Sequence, residues 1–361
     1  MNLSRRQALA VGAGVTGALT LPGSLASADS DSPDADELAA SISQKLFADD
    51  GLARPVPDSP AVSDLARGLD RTLVLGGGGV YYVAWYGGFF QGLLEQGVDP
   101  ASRAEMVVGT SAGSYAGAAL TSGQFDHLHQ QLTYFGARPE EFAKLSPVLM
   151  PNISQQRARD LNSAVNSGDA ETIRAIGHAA LAAANPLNGP VLENVAWMLT
   201  NTSRTDWPPT KMFTTANDCY TGERLVVGHD IAQRNSIPLS HAIAGSSALP
   251  GVMGPVQLGQ RFCMDGGICN TWAHTDLVAG SQRALVITLT DGYEGSLLSG
   301  IPHNIYGEID ALKATGTQTM LIIAGTPPGV DLLDPTQIAS AMRSGYERAA
   351  TEAPKIREFF A

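Results

Sequence analysis

A chain of 361 residues, 44% of them hydrophobic, can bury a large core, and its length suits one large α/β domain or two small ones, of which we read one catalytic domain. A formal charge of −12 sets nucleic acid and anionic membrane surfaces aside as electrostatic partners. Three cysteines, Cys219, Cys263 and Cys269, are too few and too irregularly spaced for a disulfide framework or a zinc site, and read as small buried hydrophobes; whether Cys263 and Cys269 pair stays open.

In chain order, residues 1–28 carry Ser4-Arg5-Arg6, an apolar run from Ala8 to Leu21 and then Ala26-Ser27-Ala28, the form of a signal-peptidase site. This predicts a twin-arginine-type export signal of a prokaryotic protein, hence a periplasmic, cell-wall or extracellular location. The run is too short and too weakly apolar for the roughly twenty residues that span a bilayer. Without the two arginines the net charge falls from −12 to −14. Residues 29–69, rich in Ser, Asp, Ala and Pro with one short helical pattern over Asp34–Phe47, read as a leader or linker before a catalytic domain at 70–361.

From there apolar runs alternate with helical patterns. Thr72–Leu75 reads as strand, Gly87–Gln96 as helix, Glu105–Gly109 as strand and Ala112–Thr121 as helix, which is βαβα order and predicts a mostly parallel sheet with helices on its faces. Later strands are predicted at Met212–Ala216, Arg224–Val227, Arg261–Met264, Ala284–Leu289 and Thr319–Ile323, with helices at Ile305–Ala314 and Pro335–Ala350. Between Phe125 and Trp207 lie several helical patterns, including Ala170–Ala184, and no convincing strand. We read that stretch as a helical cap, with plain packing on the sheet as the alternative.

Three motifs carry chemistry. Gly109-Thr-Ser111-Ala-Gly113 follows the strand Met106–Val108, so Ser111 is placed on a tight strand-to-helix turn whose flanking glycines avoid collision with neighbouring backbone. The strand Thr72–Leu75 ends in Gly76-Gly77-Gly78-Gly79, where backbone N–H groups are not screened by side chains. A phosphate cradle would need a Lys, or a glycine where Tyr82 stands, so an oxyanion hole for the serine of the next strand is the better fit. Met264-Asp265-Gly266-Gly267 puts a carboxylate where a third strand meets a turn.

With Ala244-Gly-Ser-Ser-Ala-Leu-Pro-Gly251, Asn270 and Thr214-Thr-Ala-Asn-Asp218 before Thr221-Gly-Glu223, these motifs make the chain from about Arg71 to Leu289 resemble the patatin-like phospholipases. The glycine loop, the serine elbow and the Asp-Gly-Gly occur in that family's order, with Ser111 and Asp265 separated by 154 positions. The resemblance implies a three-layer α/β/α fold. It also implies Ser111 as nucleophile, Asp265 as dyad base, and Gly77, Gly78 and Gly79 as oxyanion donors. One position departs: the family's Gly-Gly-x-Arg/Lys-Gly has Val80, Tyr81 and Tyr82 where x, the basic residue and the glycine belong. Phosphate-bearing substrates are therefore less secure than the fold.

The expected chemistry is hydrolysis of a lipid or other carboxylic ester through an acyl-enzyme, without metal or cofactor. An aspartate of ordinary acidity is a weak base for a serine, so the scheme needs an apolar pocket around Asp265. Tyr81 and Trp85 are candidates for an acyl pocket behind the glycine loop; Tyr82, Trp85, Tyr86, Phe89 and Leu93 are alternatively the core stripe of a helix. Rival readings are a Ser-His-Asp esterase using His274, His303 or His241, a secreted lipid-binding protein with little turnover, and an acyltransferase using the same residues. Oligomeric state, head group and acyl length stay open.

Overall fold

The computed structural model describes residues 50–361 except 59–60, 146–150, 187, 203–206, 209–210 and 293–297. The predicted export signal and the helical pattern at Asp34–Phe47 lie outside the described residues. Strand β1 (Arg71–Leu75) leads into helix α1 (Gly79–Glu95), and β2 (Met106–Gly109) into α2 (Ala112–Thr121). Five helices follow, α3 (Phe125–Ala137), α4 (Pro139–Leu145), α5 (Ile153–Ala164), α6 (Ala170–Ala182) and α7 (Gly189–Thr200), with no strand among the described residues between them. Then come β3 (Lys211–Asp218), β4 (Arg224–Gly228), α8 (His229–Asn235), α9 (Leu239–Ser246), β5 (Val256–Leu258), β6 (Arg261–Asp265) and β7 (Arg283–Thr288). The chain ends with α10 (Ile305–Ala314), β8 (Gln318–Ile323) and α11 (Ile338–Phe359).

The eight strands form one sheet in the order β5-β6-β3-β2-β1-β7-β8, with β4 also on β3. The pairs β3-β2, β2-β1, β1-β7 and β7-β8 are parallel, so the mostly parallel α/β sheet predicted from the alternation of patterns is present. Its strands are covered on both faces, which is why they read as continuous apolar runs. Leu73, Leu75, Val107, Leu285 and Ile287 enter the larger core with α1, α2 and α11, while Val74, Met106, Val108 and Val286 pack with Leu277, Ile309 and Leu312 on the other side.

Two expectations change. Part of the expected linker is structural. Leu52 is fully buried, Ala53 bridges Leu225, and Asp50 accepts from the guanidinium of the buried Arg261. Polar composition hid this because a few buried contacts, not a periodic element, hold the segment. Helix α1 also begins at Gly79, eight residues before the predicted start, because the run from Val80 to Phe90 packs as a helix directly off the glycine loop.

Candidate active site

The topology explains why two residues 154 positions apart meet. On β3, Thr214 pairs with Gly109 of β2, and Ala216 pairs with Asp265 of β6. Antiparallel β4 takes the opposite edge, with Val227 beside Thr214 and Leu225 beside Ala216. The C-terminal ends of β2 and β6 therefore point at one another along one edge of β3, two residues, about 7 Å, apart.

At that junction Ser111 has φ 48° and ψ −117° and is 6% exposed. This left-handed backbone is strained for a non-glycine residue and lifts the hydroxyl off the end of the sheet. The turn is pinned on all sides. Thr110 N–H donates to Leu75 O at 3.0 Å, the Ser114 hydroxyl donates to Ser111 O at 2.6 Å, and Ser111 N–H donates to the Ser246 hydroxyl at 2.9 Å. A Cβ at Gly113 would lie 2.0 Å from Leu75 O, so helix α2 can approach β1 this closely only with glycine there. Gly109, the last residue of β2, faces the Gly113 carbonyl in the same tight turn.

Asp265 is 4% exposed, and its Oδ1 accepts the Gly267 N–H at 2.7 Å. Burial raises its pKa to about 6, opposed by the Gly267 N–H and by a hydrogen bond with the Ser111 side chain. Asn217 Nδ2 donates to the Asp265 carbonyl at 2.8 Å, and Gly266 N–H donates to Ser246 O at 3.2 Å. Ser246 thus holds the elbow with its hydroxyl and the acid's turn with its carbonyl.

Gly77 lies against the serine, with a Cβ there falling 3.1 Å from Ser111 Cβ. Gly78 precedes α1 and Gly79 is its first residue. Among the described residues, the N–H groups of Gly77, Gly78 and Gly79 have no acceptor within the protein, nor does that of Ala112, the first residue of α2. Two helix N-termini, each with free donors and a positive dipole end, therefore converge beside Ser111. Tyr86 steadies the glycine loop through its hydroxyl, which donates towards the carbonyls of Gly76 at 3.1 Å and Ile287 at 3.2 Å.

Ser111 and Asp265 stand at the waist between two chambers. The larger, about 760 Å³, is lined by side chains of α1, α3, α4 and α7, among them Val83, Leu132, Phe142, Leu192, Val195 and Leu199, with Tyr115 beside the serine. The smaller, about 390 Å³, is lined by Gly77, Gly78, Gly267, Ile268, Trp272 and Ser299. Tyr115 is buried, which pushes its hydroxyl pKa up to about 12, opposed by a hydrogen bond with Ser247.

The candidate acyl-pocket residues Tyr81 and Trp85 line neither chamber. Because α1 starts at Gly79, its Val80 and Val83 face the cavity, while Tyr81 and Trp85 turn towards α11. Tyr81 bonds Ser344, and Trp85 O lies where a Cβ on Gly345 would sit. Trp85 stacks on Phe89 at 4.6 Å, so the buried helical stripe is the arrangement found. Among the described residues no histidine lines either chamber. His274 is fully buried against Gly266 O and Arg224, with burial lowering its pKa to about 3; burial lowers that of His303 to about 4; His241 pairs with Glu193. The three cysteines are free and buried, and no cluster suited to a metal occurs among the described residues.

Residues 73–275 match the family model described as patatin-like phospholipase. The chain belongs to the patatin-like phospholipase family. Membership carries lipid ester hydrolysis as its general activity. Solved structures similar to it include VipD from Legionella pneumophila, at 13% identity and TM-score 0.34 over 84% of this chain and 71% of that one. ExoU of Pseudomonas aeruginosa in its complex with SpcU aligns at 16% identity and TM-score 0.34, over 96% of this chain and 62% of that one. A second ExoU structure aligns at 18% identity and TM-score 0.32, over 82% and 54%. The chain therefore spans 62% and 54% of the two ExoU chains' lengths. No curated protein is significantly similar to it in sequence.

Sequence reasoning missed Ser246, Ala112 and the apolar wall from α3, α4 and α7. Ser246 lay inside a quoted motif, but its role depends on hydrogen bonds to two turns distant in sequence. The wall comes from helices whose apolar faces read equally as ordinary packing.

Proposed function

We propose that this protein is an exported serine ester hydrolase acting on lipid acyl esters through Ser111 and Asp265. The observation that carries the reading is a strained serine beside a buried carboxyl, both on the wall of an apolar cavity and next to unpaired backbone N–H groups. Its export rests on the Ser4-Arg5-Arg6 leader and the Ala26-Ser27-Ala28 site.

In this mechanism the acyl chain lies in the larger chamber, whose walls are apolar side chains of α1, α3, α4 and α7. Asp265 takes the hydroxyl proton as Ser111 Oγ attacks the ester carbonyl, and the N–H groups of Gly77 and Gly78, with the two helix N-termini, hold the developing oxyanion. The alcohol leaves with the proton returned by Asp265. Water then attacks the acyl-serine, giving its proton to the same carboxylate, and free acid and serine are restored. An aspartate with a pKa of about 6 is ionised at neutral pH yet more basic than an exposed carboxylate, as a general base requires. The places of His274, buried against Gly266 O, and of His241, paired with Glu193, support the dyad over a triad.

Labelling with an alkyl fluorophosphonate followed by peptide mapping tests the reading. Modification of Ser111, prevented by Ser111→Ala, is expected; an intact protein that binds lipid without labelling would instead favour the lipid-binding alternative.

A further inference from the structure

Resting on the reading above, we infer that the smaller chamber selects esters of uncharged alcohols over those whose alcohol carries a phosphate. With the acyl chain in the larger chamber, the leaving alcohol must lie across the Ser111-Asp265 waist, in the space bounded by Ile268, Trp272 and Ser299.

Its two polar side chains are already engaged. The Ser299 hydroxyl donates to Asn162 Oδ1 at 2.9 Å and accepts Ile301 N–H at 3.3 Å, and Trp272 Nε1 donates to Thr290 O at 2.9 Å. The glycine N–H groups serve the oxyanion. No lysine, arginine or histidine lines the chamber among the described residues. Among the described residues the ionisable group on its wall is Asp265, whose carboxylate repels an anion. A phosphate drawn in would lose water and find neither donor nor cation, whereas a glycerol hydroxyl or an aryl alcohol bears no such penalty. Tyr81, at the position where a basic residue was expected, is buried towards α11 and leaves that deficit uncorrected.

The test compares kcat/KM of the full-length protein for a monoacylglycerol and for a lysophosphatidylglycerol of the same acyl chain, both in neutral-detergent micelles. The neutral ester is expected to win by about tenfold or more. Equal or preferential hydrolysis of the lysophospholipid overturns the inference and leaves the ester hydrolase reading intact; hydrolysis of neither overturns both. A second arm uses the half-buried Leu298 at the waist. Leu298→Lys is expected to shift the ratio towards the lysophospholipid by about tenfold, and Leu298→Gln is not. An unchanged ratio in a folded Leu298→Lys protein counts against the inference.

Discussion

The hydroxyl of Ser246 accepts the backbone N–H of Ser111 at 2.9 Å, while its carbonyl accepts the N–H of Gly266 beside the acid at 3.2 Å. One fully buried residue at the end of α9 therefore ties the proposed nucleophile's turn to the proposed base's turn. Ser246→Ala leaves the Ser111 N–H buried and unpaired, at a cost of about 1–3 kcal/mol. We expect a lower melting temperature and a kcat reduced by about tenfold with KM little changed, because binding surfaces are untouched. A kcat equal to wild type would show that the elbow holds its geometry without this bond.

The pH dependence follows from Asp265. Its carboxyl must be ionised to accept a proton, and burial puts its pKa at about 6. Activity is expected to rise through about pH 6 and then level, with no histidine needed for the ascending limb. A limb near pH 4 would mean that water reaches the carboxylate in the working enzyme.

The same shift predicts a trade between function and stability. The folded pKa of about 6 exceeds the unaltered 3.8, so between these values the native state binds more protons than the unfolded one. Stability therefore falls as pH rises from about 4 to about 6, by about 3 kcal/mol at most. Asp265→Asn cannot ionise and still accepts from Gly267, so its melting temperature should exceed the wild type's at pH 7 and approach it near pH 4. A variant less stable at both values would contradict the assigned burial penalty.

Acyl-chain preference should respond to the walls contributed by α1 and α7 and not to the aromatic stripe. Val195→Trp fills part of the larger chamber and is expected to raise KM for a sixteen-carbon ester about tenfold relative to a four-carbon one. Tyr81→Phe, on the far side of α1, should leave that ratio unchanged. Kinetics across an ester series separate the two.

The candidate residues Ser111 and Asp265 were legible because their motifs are local: Gly109-x-Ser-x-Gly113 and Asp265-Gly-Gly267 each follow a recognisable apolar strand. The alternation of strands and helices likewise gave the parallel sheet. What brings the motifs together was not legible, since it depends on β3 carrying β2 and β6 on one edge while β4 takes the other. The misplaced acyl pocket has a simpler cause. Starting the helix at Gly87 instead of Gly79 removed the phase that sends Val80 and Val83 to the cavity and Tyr81 and Trp85 to α11. Leu52 and Asp50 were missed because single buried contacts leave no period in a polar segment.

The most direct measurement is hydrolysis of a long-chain p-nitrophenyl ester by wild type, Ser111→Ala, Asp265→Asn and His241→Ala, with folding checked by circular dichroism. The account predicts losses of about 10⁴-fold for the first two variants and activity within about twofold of wild type for the third. Undiminished turnover by a folded Asp265→Asn protein, or collapse of activity in His241→Ala, would contradict the Ser111-Asp265 dyad.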